Sequence, residues 1–330
     1  MMTRTRTIAG LAASAATVAL VAAACSGGGG DGGRGGESSS DGLDVVRVGV
    51  IPGAAGVPLY LGEEQGFFEE AGIQIEYVEM NGGAAMIPGT ISGDLDFAVA
   101  NAMSVLIGYS TGLPLVVIGP ANYSTGDPDS DFSAILVPEG SDIESAADLE
   151  GRTVAVNALN NIGDLSVRAA VEDDGGDQEL IDFVELPFPE MAQSLENGDV
   201  DAVWAVEPFV TDNEQHGAHI FSTPLTVMSD STVNSVVATS SDLMSSDPDL
   251  VERFAEASTR SNNYAYENQD EFREVLLEHS EIAPEVAEAM ILPDWSVTET
   301  TPEDFQVLLD YSQRYGIIED DVDVNGLFAE

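Results

Sequence analysis

Lysine is absent from this 330-residue chain, and ten Arg stand against 59 Asp and Glu, a formal net charge of −49. Genomic base bias can replace Lys by Arg, but it does not also make Arg scarce. The deficit points to an anionic surface suited to a salty medium, where self-repulsion is screened. Such a chain has no broad phosphate-neutralising face, which argues against nucleic acid as a partner. Cysteine occurs once, so no internal disulfide and no Cys-based metal cluster can form. Histidine occurs three times. His216 and His219 lack a third ligand nearby, and a zinc site is not expected. The run Asp321-x-Asp323-x-Asn325-Gly326 imitates the start of a calcium loop, but its twelfth position falls beyond the chain, so a solvated turn is expected. Asp127-x-Asp129-x-Asp131 lacks the glycine of such a loop. No phosphate-binding loop and no recognisable nucleophile motif is present, so no catalytic residue, cofactor or metal is assigned.

What is there begins with an address. Arg4 and Arg6 precede an apolar, small-residue run over residues 8–24 that ends at Cys25. Basic n-region, apolar h-region and small residues before a processing site make a secretory signal. Seventeen residues, mostly Ala, are a marginal length for a membrane span. Ala22-Ala23-Ala24-Cys25 resembles a bacterial lipobox, with Ala22 where Leu is usual. Lipidation of Cys25 is expected, since an otherwise cysteine-free chain keeps one there; plain cleavage after Ala-x-Ala is the alternative. Residues 26–42 hold nine Gly in seventeen. They form a tether with a reach of roughly 20–25 Å.

With 44% hydrophobic residues the remainder is a folded body. Residues 45–51 form a strand and 57–70 a helix stopped by Gly72. Residues 73–78 form a second strand, and Gly82-Gly83 open a helix ending at Ser92-Gly93. Strand 95–100, helix 101–110 and strand 115–119 follow. The pattern recurs about 105 residues on: strand 152–156, loop 157–161, helix 163–172, strand 181–185, helix 190–196 and another strand. Its clearest echo is Gly93-Asp94-Leu95-Asp96 against Gly198-Asp199-Val200-Asp201. Two α/β lobes with mainly parallel sheets are implied. From Asp247-Pro248 onward the chain reads as helical.

The segments Val48-Gly49-Val50-Ile51-Pro52, Leu59 to Phe68, Gly93 to Ala98, Asp148 to Val156, Asp201-Ala202-Val203-Trp204 and Glu207-Pro208-Phe209 resemble, in that order, binding proteins of the nitrate/sulfonate/taurine group. That group includes binders of a thiamine pyrimidine precursor. The resemblance spans roughly residues 45–315. It implies an α/β, bilobal periplasmic-binding-protein fold (type II) with a ligand cleft between the lobes. It also implies a monomer that passes a small molecule to the permease and ATPase of an ABC importer. The expected organisation is a signal peptide (1–24), a tether (25–43), lobe 1 (44–130 plus 231–330) and lobe 2 (131–230). Its place would be the outer face of the cell membrane, lipid-anchored. Two other readings stay open: a ligand-sensing receptor for a membrane kinase, and an enzyme like those of thiamine-pyrimidine biosynthesis. The latter relies on a cysteine-rich motif and an intracellular address, and this sequence has neither.

Ligands of open α/β sheets bind outside the carboxyl ends of strands. This rule selects Pro52, Tyr60, Gly82, Gly83, Asn101, Asn157, Asn160, Asn161, Gly163, Trp204 and Glu207. Gly82-Gly83 either offer backbone N–H groups at a helix start or form an ordinary turn. Asn101 is a helix cap or a ligand donor, or both. Asn157, Asn160 and Asn161 offer amides or simply make a turn. Trp204 stacks on a planar ligand or packs in the core. Glu207 accepts from a ligand N–H or starts a helix. Arg168 is the one basic residue near these segments, and a surface pair with Asp164 is expected rather than a ligand clamp. The residue inventory favours a neutral, zwitterionic or nitrogen-rich ligand; the resemblance pulls toward sulfonates or nitrate.

Overall fold

The computed structural model describes residues 42–51, 54–80 and 82–328. The signal segment, Cys25, the tether as far as residue 41, Pro52 and Asn81 lie outside the described residues. Ten strands run in chain order: β1 (Asp44–Val50), β2 (Ile73–Glu79), β3 (Phe97–Asn101), β4 (Leu115–Tyr123), β5 (Ser133–Pro138), β6 (Thr153–Val156), β7 (Asp182–Glu185), β8 (Ala202–Val206), β9 (Ala218–Ser222) and β10 (Val233–Ser240). They form two five-stranded sheets, ordered β2-β1-β3-β10-β4 and β7-β6-β8-β5-β9.

The two sheets repeat one plan. In the first, β1 pairs in parallel with β2 and β3, while β10 runs antiparallel between β3 and β4. In the second, β6 pairs in parallel with β7 and β8, while β5 runs antiparallel between β8 and β9. Each sheet is therefore mixed rather than mainly parallel, because one reversed strand in the fourth position makes two of its four pairings antiparallel. The first sheet takes β10 from beyond the second sheet's strands, so the chain crosses between the lobes twice.

Burial explains the central strands. Phe97, Ala98, Val99 and Ala100 of β3 are all buried, as a parallel strand covered on both faces requires. On one face Phe97 stacks on Phe254 at 3.9 Å, with the rings 3° from parallel. Phe254 belongs to the helix Pro248–Glu267, which starts where Asp247 accepts the Leu250 N–H at 3.2 Å. On the other face one apolar cluster runs from Met86 and Met103 through Phe305 and Leu308 to Leu165 and Trp204. That cluster includes residues of both sheets and of the helices that cover them.

Two local expectations need correction. The single helix over 57–70 is two, Val57–Glu64 and Phe67–Glu70, because Gly66 adopts φ 78 between them. The strand expected to stop at Gly119 continues through Pro120 to Tyr123. Proline is tolerated there because β4 lies at the sheet edge. The fully buried strand β10 was not anticipated. Among the described residues no helix is long and apolar enough to cross a membrane.

Candidate functional site

The carboxyl ends of β1, β3, β6 and β8 meet in a cleft that holds an inner cavity of about 90 Å³. Of the residues selected from sequence, Gly82, Gly83, Asn101, Asn157, Asn161, Trp204 and Glu207 line it. Asn160 lines an outer chamber of about 750 Å³ that shares a neck with the inner one. Tyr60 lies apart from both, stacked on His279 at 4.1 Å and tilted against Tyr77 at 4.2 Å. Burial and the nearby Glu79 and Glu63 carboxylates push its phenol up to about 12. Gly163 is not a lining residue. A Cβ there would meet the Trp204 ring at 2.6 Å, so its bare backbone is what lets the indole pack against the helix Ile162–Asp173.

The local sequence builds each wall. The helix Gly83–Ser92 opens on Gly82 with no side-chain cap. A Cβ on Gly83 would lie 2.8 Å from the Ser104 side chain, so glycine permits the two helix starts to touch. Asn101 ends β3 and caps the next helix, its Oδ1 accepting the Met103 N–H at 3.0 Å. Its Nδ2 donates to Asn234 Oδ1 at 3.3 Å, and Asn234 Nδ2 donates to Asn122 Oδ1 at 2.7 Å. Asn101 is thus a helix cap, and it also lines the cavity. Across the cleft, Asn161 forms a capping box with Asp164, and its Nδ2 donates to Ser104 Oγ at 2.8 Å. That buried hydrogen bond joins the two lobes at the neck. Asn160 takes φ 53, with its N–H held by Asp164 Oδ2 at 2.9 Å.

Trp204 is 1% exposed, and its Nε1, itself buried, has no hydrogen-bond partner among the described residues. Glu207 is 4% exposed. Its carboxylate accepts the Thr211 N–H at 3.0 Å, the Thr211 hydroxyl at 2.8 Å and the Ile291 N–H at 3.1 Å. Burial outweighs these bonds and pushes its carboxyl up to about 7. Helix starting and cavity lining therefore coincide in this residue too.

Charge is the sharpest feature. Among the described lining residues of the inner cavity, Glu207 is the only titratable one. No Arg lines it. The expected Arg168–Asp164 surface pair does not form: Asp164 is buried in the capping box, and Arg168 donates to the Gln178 carbonyl and side chain at 3.1 and 2.6 Å. Its guanidinium lies over Phe183. The other described Arg residues are held by carboxylates or carbonyls elsewhere. Among the described residues no group of three His, Cys, Asp or Glu could hold a metal ion.

Sequence reasoning missed Asn122, Asn234 and Ser235, and the aromatic walls Phe132, Phe188 and Phe209. Asn122 follows the same strand-end rule once β4 is carried past Pro120. Asn234 and Ser235 face the cavity only because β10 inserts beside β3, a pairing that local sequence does not announce.

Residues 55–272 match the family model described as NMT1/THI5 like. The chain is 25% identical over 292 residues to a putative aliphatic sulfonates-binding protein of Bacillus subtilis (strain 168), covering 86% of this chain and 85% of the relative. It is 27% identical over 168 residues to a formylaminopyrimidine-binding protein of Halalkalibacterium halodurans, covering 50% of this chain and 48% of that one. Among solved structures, the periplasmic nitrate-binding protein NrtA of Synechocystis PCC 6803 superposes with a TM-score of 0.74 at 14% identity, covering 86% of this chain and 85% of that chain. The fold is that of periplasmic binding proteins.

Proposed function

Since this chain belongs to the NMT1/THI5-like family, we propose that it is an extracytoplasmic solute-binding protein that delivers a small molecule to the permease and ATPase of an ABC importer. The observation that carries this reading is the cavity between two lobes, walled by amides, hydroxyls and aromatic rings. Lobe 1 comprises residues 44–130 plus 231–330 and lobe 2 residues 131–230; the protein works as a monomer. A signal peptide (1–24) directs export, Cys25 carries the lipid, and the glycine tether holds the body near the outer face of the membrane. Catalysis is not part of the role.

The ligand is a planar, nitrogen-rich molecule that is neutral or weakly basic. Amides of Asn101, Asn157 and Asn161 can both donate and accept, the Trp204 ring forms part of an apolar wall, and Glu207 accepts from an N–H. An anion would enter a cavity with no cationic lining, in a protein of net charge −49. Of the ligand classes in the relatives' names, a formylaminopyrimidine fits these walls better than a sulfonate or nitrate. Isothermal titration with an aminopyrimidine, taurine, an alkanesulfonate and nitrate tests the reading. The aminopyrimidine should bind, and Trp204→Ala should weaken it by tenfold or more. Tight binding of nitrate or a simple alkanesulfonate without aminopyrimidine binding would overturn the ligand class.

A further inference from the structure

The inner cavity alone is small: about 90 Å³, against the roughly 300–1,000 Å³ usual for small-molecule sites. The outer chamber, at about 750 Å³, has a different chemistry. Its walls are chiefly apolar, with Ile87, Ile107, Leu113, Pro187 and Phe188 among them. Glu185 is the one charged group described in its lining, and that carboxylate already accepts the Leu159 N–H at 3.3 Å. Leu159 also lines it and is 44% exposed, one of three large apolar side chains left exposed among the described residues. In a chain with 59 acids, an open chamber kept almost free of charge needs an apolar occupant. Asn157, Asn161, Ser104 and Phe188 line both chambers, so one molecule passing the neck would touch polar groups on one side and apolar groups on the other.

We infer that the ligand is bipartite: a polar planar head in the inner cavity carries an apolar substituent that lies in the outer chamber against Ile87, Leu113 and Leu159. This inference rests on the reading of the inner cavity as the site of the head. It does not require that the head be a pyrimidine. The substituent gives selectivity by area, and each methylene buried there should tighten binding about fourfold.

Two homologous series measured by isothermal titration test it on the full mature chain. One is 4-aminopyrimidine with 5-alkyl groups from methyl to hexyl; the other is n-alkanesulfonates from methane to octane. Affinity is expected to climb with chain length in the aminopyrimidine series. Ala85→Phe, at an exposed position that lines only the outer chamber, should flatten that slope, whereas Leu180→Ala, away from the cleft, should not. If the short aminopyrimidines bind but length adds nothing, the bipartite ligand is wrong and the head assignment survives. If only alkanesulfonates bind, with a length slope that Ala85→Phe removes, the head assignment is wrong and the outer subsite survives. A slope that persists in Ala85→Phe overturns the subsite, and binding by no member of either series overturns both.

Discussion

Asp96 accepts the backbone N–H of Arg47 at 2.8 Å, 49 residues back in the chain, and so anchors the start of β3 beside β1. The second lobe repeats the device: Asp201 accepts the Thr153 N–H at 2.8 Å beside β6. Each carboxylate follows a helix that ends on a left-handed glycine, Gly93 with φ 78 and Gly198 with φ 74. Each also faces an Arg, at 3.7 Å from Arg47 and 3.8 Å from Arg152. The Gly-Asp-x-Asp echo is therefore a repeated clamp that sets strand register, and register decides which strand ends reach the cleft.

Asp96→Ala and Asp201→Ala should each lower stability by about 1–3 kcal/mol, because each leaves a partly buried strand N–H without its partner. The two losses should add, since the sites share no neighbours. Urea denaturation of the single and double variants measures this. A loss below about 0.5 kcal/mol in either would show that the clamp is decorative.

The repeated turn was legible in the sequence because glycine and aspartate mark chain reversals by local rules, whereas its bonds to Arg47 and Thr153 were not, since they reach 49 and 48 residues back. The strand ends bearing Asn101, Asn157, Trp204 and Glu207 were legible for the same reason: apolar runs stop where polar residues begin. Strand β10 was not, because Asn234, Ser235, Thr239 and Ser240 interrupt its apolar pattern. Those polar groups are buried only because partners arrive from far away, as when Asn122 accepts from Asn234 across 112 residues. Arg168 was misjudged by the same blindness. The i, i+4 rule saw Asp164 but not the capping box that already employed it, nor the Gln178 groups waiting beyond the helix. Tyr60 sits at helical spacing near a strand end, and only packing reveals that its ring turns toward His279.

Glu207 should leave a signature in the pH dependence of stability. Burial pushes its folded carboxyl up to about 7, above the ordinary 4.5, so the folded state binds the proton more tightly than the unfolded chain. Its contribution is fully present below about 4.5 and is lost as pH rises through about 7. Melting temperatures of wild type and Glu207→Gln, compared from pH 4 to 8, should therefore diverge across that window, with the variant losing less as pH rises. Parallel curves would show that Glu207 titrates normally.

The Asn161–Ser104 bond predicts a shift in lobe closure. Ser104→Ala removes one cross-cleft hydrogen bond, a net effect of about 0.5–1.5 kcal/mol, while sparing the Asn161 cap on its own helix. The ligand-free variant should populate open forms more, seen as a larger radius of gyration in solution scattering. Saturation with ligand should bring both proteins to the same compact value. Identical scattering without ligand would mean that the bond does not hold the lobes.

Cys25→Ser tests the anchor. The variant should move from the membrane fraction to the soluble extracytoplasmic fraction, since no other cysteine exists to carry a lipid. Membrane association that survives the substitution in high salt without detergent would require a different anchor.

Salt dependence follows from where the cations are. Each described Arg is already held by a carboxylate or a carbonyl, which leaves most of the described acids without an ion pair. Their mutual repulsion acts over about 10 Å at 0.1 M salt and over about 3 Å at 1 M. Melting temperature should therefore rise as sodium chloride goes from tens of millimolar toward molar. Repulsion has a second handle that general salting effects lack: protonation. Near pH 4 many exposed carboxylates become neutral, so the same salt increment should raise the melting temperature less there than at pH 7. A slope equal at both pH values would assign the effect to strengthened apolar burial. A flat or falling curve at pH 7 would mean that the acidic surface is not what limits the stability of this fold.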